Sequence, residues 1–279
     1  MAIDIQILYF SDLLPKKYPT DADNLFAALE KYHVQYALIK GAKDVWIRDF
    51  MPVQRYHPTQ SPLVAFKYEP AYLKKQCQLQ ADSLCDIGHD LPPVGSWCPP
   101  NSFNKSDIHL EGGSVLISSD RNKALVSDRI FAENSQYEQA ALVRELTELL
   151  SAEIIIIPVQ KSNITGHIDK HIRFLDRQTV LYCPSRGVGQ GLPSLLQNRG
   201  LDVNEFPLTA AKERGATGCY LNYLGTKKAV FLPVFGAEQD SAALAAAKQI
   251  FQKPVEPVLI PHIAAAGGGL RRISWEMLA

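Results

Sequence analysis

The sequence has no stretch approaching the roughly 20 apolar residues that span a bilayer, so neither a transmembrane helix nor a membrane partner is expected. It has no surplus of charge. Its 29 Lys and Arg balance 29 Asp and Glu, and no basic run stands out, which argues against a nucleic-acid surface and for small, local ligands. It has no C-x-x-C pair. The five cysteines, Cys77, Cys85, Cys98, Cys183 and Cys219, are odd in number and irregularly spaced, so neither a disulfide framework nor a zinc site is expected, and buried thiols are the plain reading. Residues 1–17 hold a short apolar patch, Ile5–Phe10, without a basic leader or a small-residue cleavage site, and a cytoplasmic location is expected. What the sequence does have is 279 residues, 46% of them hydrophobic, which is enough to bury a sizeable core.

Apolar periodicity alternates between two and 3.6 residues along the chain. Strands are expected at Ile3–Tyr9, Tyr36–Ile39, Leu63–Tyr68, Ala124–Val126, Ile154–Pro158, Thr179–Cys183, Asp202–Phe206 and Val255–Ile260. Gly218–Leu224 and Ala229–Pro233 read as a strand pair, and Leu270–Ser274 as a terminal strand. Helical spacing places Leu25, Ala28, Leu29 and Tyr32 on one face. Ser135-x-x-Glu138 reads as a capping box before Leu142, Val143, Leu146, Leu149 and Leu150. Leu192–Arg199 reads as a helix ended by Gly200, and Asp240 as the cap of a helix carrying Leu244, Ala247 and Phe251. Strand pairs and single helices recur about every fifty residues, which argues for repeated α/β units around a shared centre. The irregular stretch Glu69–Asn104 reads as a lid or pocket-lining loop.

The residues suited to chemistry fall at the junctions of these units. Gly166-His167-Ile168-Asp169 places an imidazole and a carboxylate two residues apart; in an extended segment both would point to one face. Read by itself, this is an edge strand with incidental polar residues. Trp46-Ile47-Arg48-Asp49 embeds two charges among large apolar side chains, as a structural ion pair would. Leu110-Glu111-Gly112-Gly113 sets a carboxylate before a tight turn, and Gly267-Gly268-Gly269 forms another turn near the end. A ring of units would bring Asp49, Glu111, His167, Asp169 and the glycine turn to one cavity.

Four motifs in this order, Trp-Ile-Arg-Asp, Leu-Glu-Gly-Gly, Gly-His-Ile-Asp and Gly-Gly-Gly-Leu-Arg-Arg-Ile-Ser, resemble the pentein superfamily of guanidine-modifying enzymes. The agmatine deiminase and bacterial peptidylarginine deiminase type is nearest; arginine deiminases, arginine dihydrolases and amidinotransferases are cousins. The resemblance runs from about Trp46 to Ser274 and includes Tyr220-Leu221-Asn222-Tyr223 and Leu232-Pro233-Val234-Phe235-Gly236. It implies a five-bladed α/β propeller of ββαβ-like units, residues 1–279 being a single domain, with no cofactor or metal and a small guanidino compound as ligand. It leaves the oligomeric state open, a homo-oligomer included. In the family a cysteine thiolate attacks the guanidinium carbon, ammonia or an amine leaves, and the thiouronium is hydrolysed or passed to another amine. Asp49 and Asp169 would then grip the planar guanidinium, with Trp46, Arg48 and Arg173 counted beside them. His167 would serve as general acid and then base, oriented by Glu111. Lys170, Arg173, Arg186 and Arg48 are all candidates to meet a carboxylate at the far end of a substrate.

The sequence departs from the family at one position. Where the family carries the cysteine, this chain has Arg272. A guanidinium that stays protonated cannot be the nucleophile. Cys183 or Cys219 could substitute, or the chain is a pentein that binds a guanidinium or a protein partner without hydrolysing it. Because position 272 faces the substrate's carbon in the family, Arg272 is expected to fill the guanidinium subsite, paired with Asp49 or Asp169, unless its long stem turns to solvent.

Overall fold

A computed structural model describes residues 5–42, 44–56, 62–69, 104–160, 163, 165–184, 191–207 and 215–278. The expected lid with Cys77, Cys85 and Cys98, and the candidate Arg186, lie outside the described residues. The chain runs β1 (Ile5–Ser11), α1 (Leu14–Lys17), α2 (Pro19–Lys31), β2 (Tyr36–Ile39), α3 (Ile47–Phe50), β3 (Val53–Gln54), β4 (Leu63–Lys67) and β5 (Asn104–His109). It continues β6 (Val115–Ile117), β7 (Lys123–Ser127), α4 (Arg129–Glu133), α5 (Gln139–Leu150), β8 (Glu153–Ile157), β9 (Ile172–Phe174) and β10 (Thr179–Tyr182). It ends with α6 (Leu192–Gln197), β11 (Asp202–Glu205), β12 (Leu224–Gly225), β13 (Val230–Val234), α7 (Asp240–Ile250), β14 (Val255–Leu259), α8 (Pro261–Ala265) and β15 (Ser274–Leu278).

The strands form three-stranded sheets of one design: β15-β1-β2, β3-β4-β5, β6-β7-β8, β11-β10-β9 and β12-β13-β14. In four of them the middle strand pairs antiparallel on one side and parallel on the other. A parallel neighbour needs a crossover, and helices supply it: α2 before β2, α5 before β8 and α7 before β14. Among the described residues the repeat read from periodicity is therefore present as five three-stranded sheets.

Contacts gather the described chain into two compact units, one built from residues 49–204 and the other joining 5–48 to 205–278. In the first, β7 alternates strictly. Ala124 and Val126 pack with Val64, Ile108, Val115, Leu142 and Leu146, whereas Leu125 packs with Ile155, Ile157, Ile168 and Ile172. Both faces of that sheet are thus covered. In the second unit the final strand β15 pairs with the first, Trp275 opposite Tyr9 and Ser274 opposite Phe10. Among the described residues no helix is long and apolar enough to cross a membrane.

Several local expectations are corrected. The segment 167–171 is not extended: His171 N–H and Ile172 N–H both bond to the Ile168 carbonyl at 2.9 and 3.0 Å, and the strand begins only at Ile172. Of Gly218–Leu224 only the end is strand, since Cys219 and Asn222 donate back to Ala216 and Cys219 in successive turns. Residues 270–273 are turn, with β15 starting at Ser274. Glu138 is itself the cap of α5, accepting from Ala140 and Ala141, so Ser135 forms no box. Asp240 is the first residue of α7, with Gln239 at the N-cap position and no side-chain cap bond. Its carboxylate accepts from Phe235, Gly236 and Ala237, which ties the end of β13 to the helix.

Candidate functional site

In the 49–204 unit the site is built by locking two turns together. Ile168 is fully buried in the core between β7, β8 and β9, so its flanking residues cannot swing away. Burying an Ile side chain this way contributes about 1.5–3 kcal/mol. The Gly113 carbonyl accepts from Ile168 N–H at 3.1 Å and Asp169 N–H at 3.3 Å, and Asn163 Nδ2 donates to the His167 carbonyl at 3.0 Å. A side chain on Gly113 would place its Cβ 2.6 Å from His167 Nδ1. That glycine is present because the imidazole lies against it. At the other end of the loop, Gly166 has φ +69°, with the Arg129 stem where a Cβ would go.

Held this way, His167 Nε2 lies 2.6 Å from Glu111 Oε2 and 3.9 Å from Asp49 Oδ1, and all three side chains are buried. The ring has little rotational choice: Gly113 backs it and Glu111 holds one nitrogen. Two carboxylates facing one imidazole nitrogen favour a positive charge among them, whether a proton, a metal ion or an organic cation. The ligand atoms of Asp49, Glu111 and His167 lie within 4.8 Å of one another, so this set could also hold a divalent metal through one nitrogen and two oxygens. Asp169 is fully buried in the same loop and lies outside that trio. Next to it, burial and then the Lys170 ammonium push the His171 imidazole down to about 4, only partly opposed by Asp169, so His171 is neutral at neutral pH.

In the other unit, the glycine turn is shaped by two side chains. A Cβ on Gly268 would lie 2.1 Å from the Trp46 ring, and one on Gly269 would lie 2.7 Å from Asn222 Oδ1. Gly267 has φ +101°, a conformation few other residues adopt. Arg272 is buried, with its guanidinium carbon 4.9 Å from the centre of the Trp46 ring and Nη1 donating to the Gly267 carbonyl at 3.1 Å. The outward swing to solvent is therefore not what this side chain does. Its backbone N–H meets the Gly269 carbonyl at 3.1 Å and Asn222 Oδ1 at 3.3 Å.

Arg48 and Asp49 are not the ion pair their adjacency suggested. Arg48 pairs with Glu276 on β15 and donates from Nε to the Arg271 carbonyl at 3.4 Å, while Asp49 turns to His167. Arg173 sits half-buried on β9 opposite Leu181. Cys183 and Cys219 are both buried, and Cys183 N–H bonds the His171 carbonyl at 2.8 Å. Two residues that position the site were outside the predicted set. Gly113 was read only as part of a turn, and Asn222 only as part of the Tyr-Leu-Asn-Tyr motif. Fully buried, Asn222 accepts from Arg271 N–H at its backbone carbonyl and from Arg272 N–H at its side-chain oxygen, so it fixes the turn from both.

Solved structures share this fold. An agmatine deiminase of C. jejuni superposes with a TM-score of 0.75 at 17% identity, covering 100% of this chain and 94% of that one. An agmatine deiminase of Enterococcus faecalis gives 0.71 at 16%, covering 99% and 93%. The DDAH of Pseudomonas aeruginosa, solved with citrulline, gives 0.62 at 11%, covering 98% and 100%. No curated protein matches the sequence. The fold is thus that of the pentein superfamily, shared by agmatine deiminases and DDAH. The family described as Porphyromonas-type peptidyl-arginine deiminase matches residues 17–277, nearly the whole chain and every motif described above, and this protein belongs to it.

Proposed function

We propose that this chain binds a small guanidino compound of the agmatine or arginine kind and does not hydrolyse it through a thiouronium. Support for the first half is the buried group of Asp49, Glu111 and His167, with Asp169 in the same loop: acceptor-only carboxylates in a site closed to water suit a planar cation with N–H donors on its edges. His167, fixed between Gly113 and Glu111, is placed to hold or move one proton. The observation that carries the second half is Arg272 itself, seated against Trp46 at the position where the resemblance implies the family's cysteine. No other residue from Gly267 to Ile273 carries a nucleophilic side chain, and the Ser274 hydroxyl donates to the Arg271 carbonyl at 3.2 Å.

The test is ammonia release from agmatine and arginine by the chain and by Arg272→Cys. The chain is expected to release none and Arg272→Cys to gain activity. Hydrolysis by the unaltered chain that a thiol reagent blocks would overturn the proposal and point to Cys183 or Cys219. Transfer of the amidino group to an added amine, without ammonia as the net product, would point instead to an amidinotransferase.

A further inference from the structure

The 49–204 unit contains a cavity of about 630 Å³ whose lining does not include Asp49, Glu111, His167 or Asp169. It is lined by Glu69, His109, Asp128, Arg129, Glu133 and Asn163, among others, and its volume falls in the range typical of small-molecule sites. Its charge is lopsided. Three carboxylates face one guanidinium and one imidazole; Glu69 is met by the Lys67 ammonium at 3.0 Å, which leaves Asp128 and Glu133 as the acidic pair around Arg129. Arg129 Nε is engaged by Glu133 Oε1 at 2.7 Å, and His109 Nε2 stands 3.8 Å from Glu69 Oε2. Asp128 uses Oδ1 to accept from Val159 N–H at 3.1 Å. The second oxygens of Asp128 and Glu133 make no hydrogen bond to any described residue. Burial pushes the Glu133 carboxyl up even with Arg129 beside it, so this site holds negative charge at a cost that a bound cation would relieve.

We propose that this cavity is a second ligand site, for a small organic ammonium ion held by the open oxygens of Asp128 and Glu133, and that its occupation is felt at His167. The coupling path is short and made of contacts already described. Asn163, in the cavity wall, donates to the His167 carbonyl, and Gly166 donates its N–H to the Asn163 carbonyl at 3.1 Å. Arg129, also in the wall, fills the space beneath Gly166, one residue before His167. An ammonium competing for Glu133 draws Arg129 out of its ion pair and so moves the surface against which the His167 loop is packed. The binding half of the proposal is independent of the guanidinium reading above; the coupling half rests on it for its significance.

The experiment is calorimetric titration of the full chain with 1,4-diaminobutane, which has two ammonium groups and no guanidinium, followed by NMR of the His167 ring. Saturable binding is expected, retained in Asp49→Asn and weakened at least tenfold in Asp128→Asn/Glu133→Gln. Ala132→Lys, which introduces a tethered ammonium from an exposed position in the cavity wall without deleting any bond, is expected to block binding in the same way. The His167 resonances should shift on titration of the chain and stay still in Ala132→Lys. Absence of saturable binding, loss of binding in Asp49→Asn, or full binding in Ala132→Lys would each overturn the second site. Binding with unmoved His167 resonances would overturn the coupling. Agmatine binding lost in Asp49→Asn and kept in Ala132→Lys would uphold the guanidinium site whatever the diamine does.

Discussion

Gly113 and His167 occupy each other's space: the ring of one lies where the side chain of the other would begin, with only 2.6 Å between the position of a Cβ and Nδ1. Gly113→Ala should therefore displace the imidazole or strain the turn, costing about 1–3 kcal/mol, the range for overpacking a close-fitted interior. Gly191→Ala, where a Cβ would meet nothing, serves as the control and should stay within about 0.5 kcal/mol of the parent. Urea unfolding of the two variants checks this; equal stabilities would show that the contact relaxes without cost.

Glu111→Gln keeps the shape of the group that holds His167 Nε2 and removes its charge. A hydrogen bond to a charged partner contributes about 1.5–3 kcal/mol, so affinity for agmatine or arginine should fall by roughly 10- to 100-fold. Calorimetry on folded protein reads this directly. An unchanged dissociation constant would remove Glu111 from the ligand site.

The Arg272 guanidinium over Trp46 is a cation–π contact inside one unit. A double-mutant cycle with Trp46→Leu and Arg272→Met should give a coupling of about 0.5–2 kcal/mol, since the pair is largely desolvated. Additive effects would mean that the ring only fills space above Gly268.

His171 is neutral in the fold, with its imidazole pushed down to about 4, whereas in the unfolded chain it titrates near 6.5. Between these values the unfolded state binds the extra proton, so stability is fully present above about pH 6.5 and falls as pH drops toward 4. The loss is about 3 kcal/mol by order of magnitude. Unfolding free energies measured from pH 7 to pH 4 should show this slope in the parent and a shallower one in His171→Gln. Identical slopes would place the acid sensitivity elsewhere.

What could be read from the sequence was whatever repeats locally. Tyr36–Ile39 was delimited correctly because an apolar run bounded by polar residues has one plausible register. The α5 face was legible for the same reason, with Leu142, Leu146 and Leu150 buried as spaced. The capping of that helix was not, because Glu138 reaches its own N-terminal amides, and an acceptor at that position is indistinguishable in sequence from the far partner of Ser135. The site was legible as residue types and not as geometry. His167 and Asp169 were expected to share the face of a strand, yet a turn closed on the Ile168 carbonyl sets both, and the anchoring depends on Gly113, more than fifty residues away. Arg48 and Asp49 look like one ion pair in sequence. A single turn of helix sends them to different partners, Glu276 and His167, and neither partner can be inferred from neighbours in the chain.

The pairing of β15 with β1 has a consequence in time. The described residues of the first unit all lie between 49 and 204, whereas the other waits for residues 205–278 before β1 acquires its antiparallel neighbour. At a synthesis rate of about 5–20 residues per second, β1 is expected to remain without that partner for roughly 4–15 s after residue 204 has been made. During that interval the nascent chain presents an open strand edge, rich in Leu8, Tyr9 and Phe10, beside an already foldable body. Ribosome-bound chains stopped at residue 204 should accordingly protect β7 from proteolysis and leave β1 cleavable.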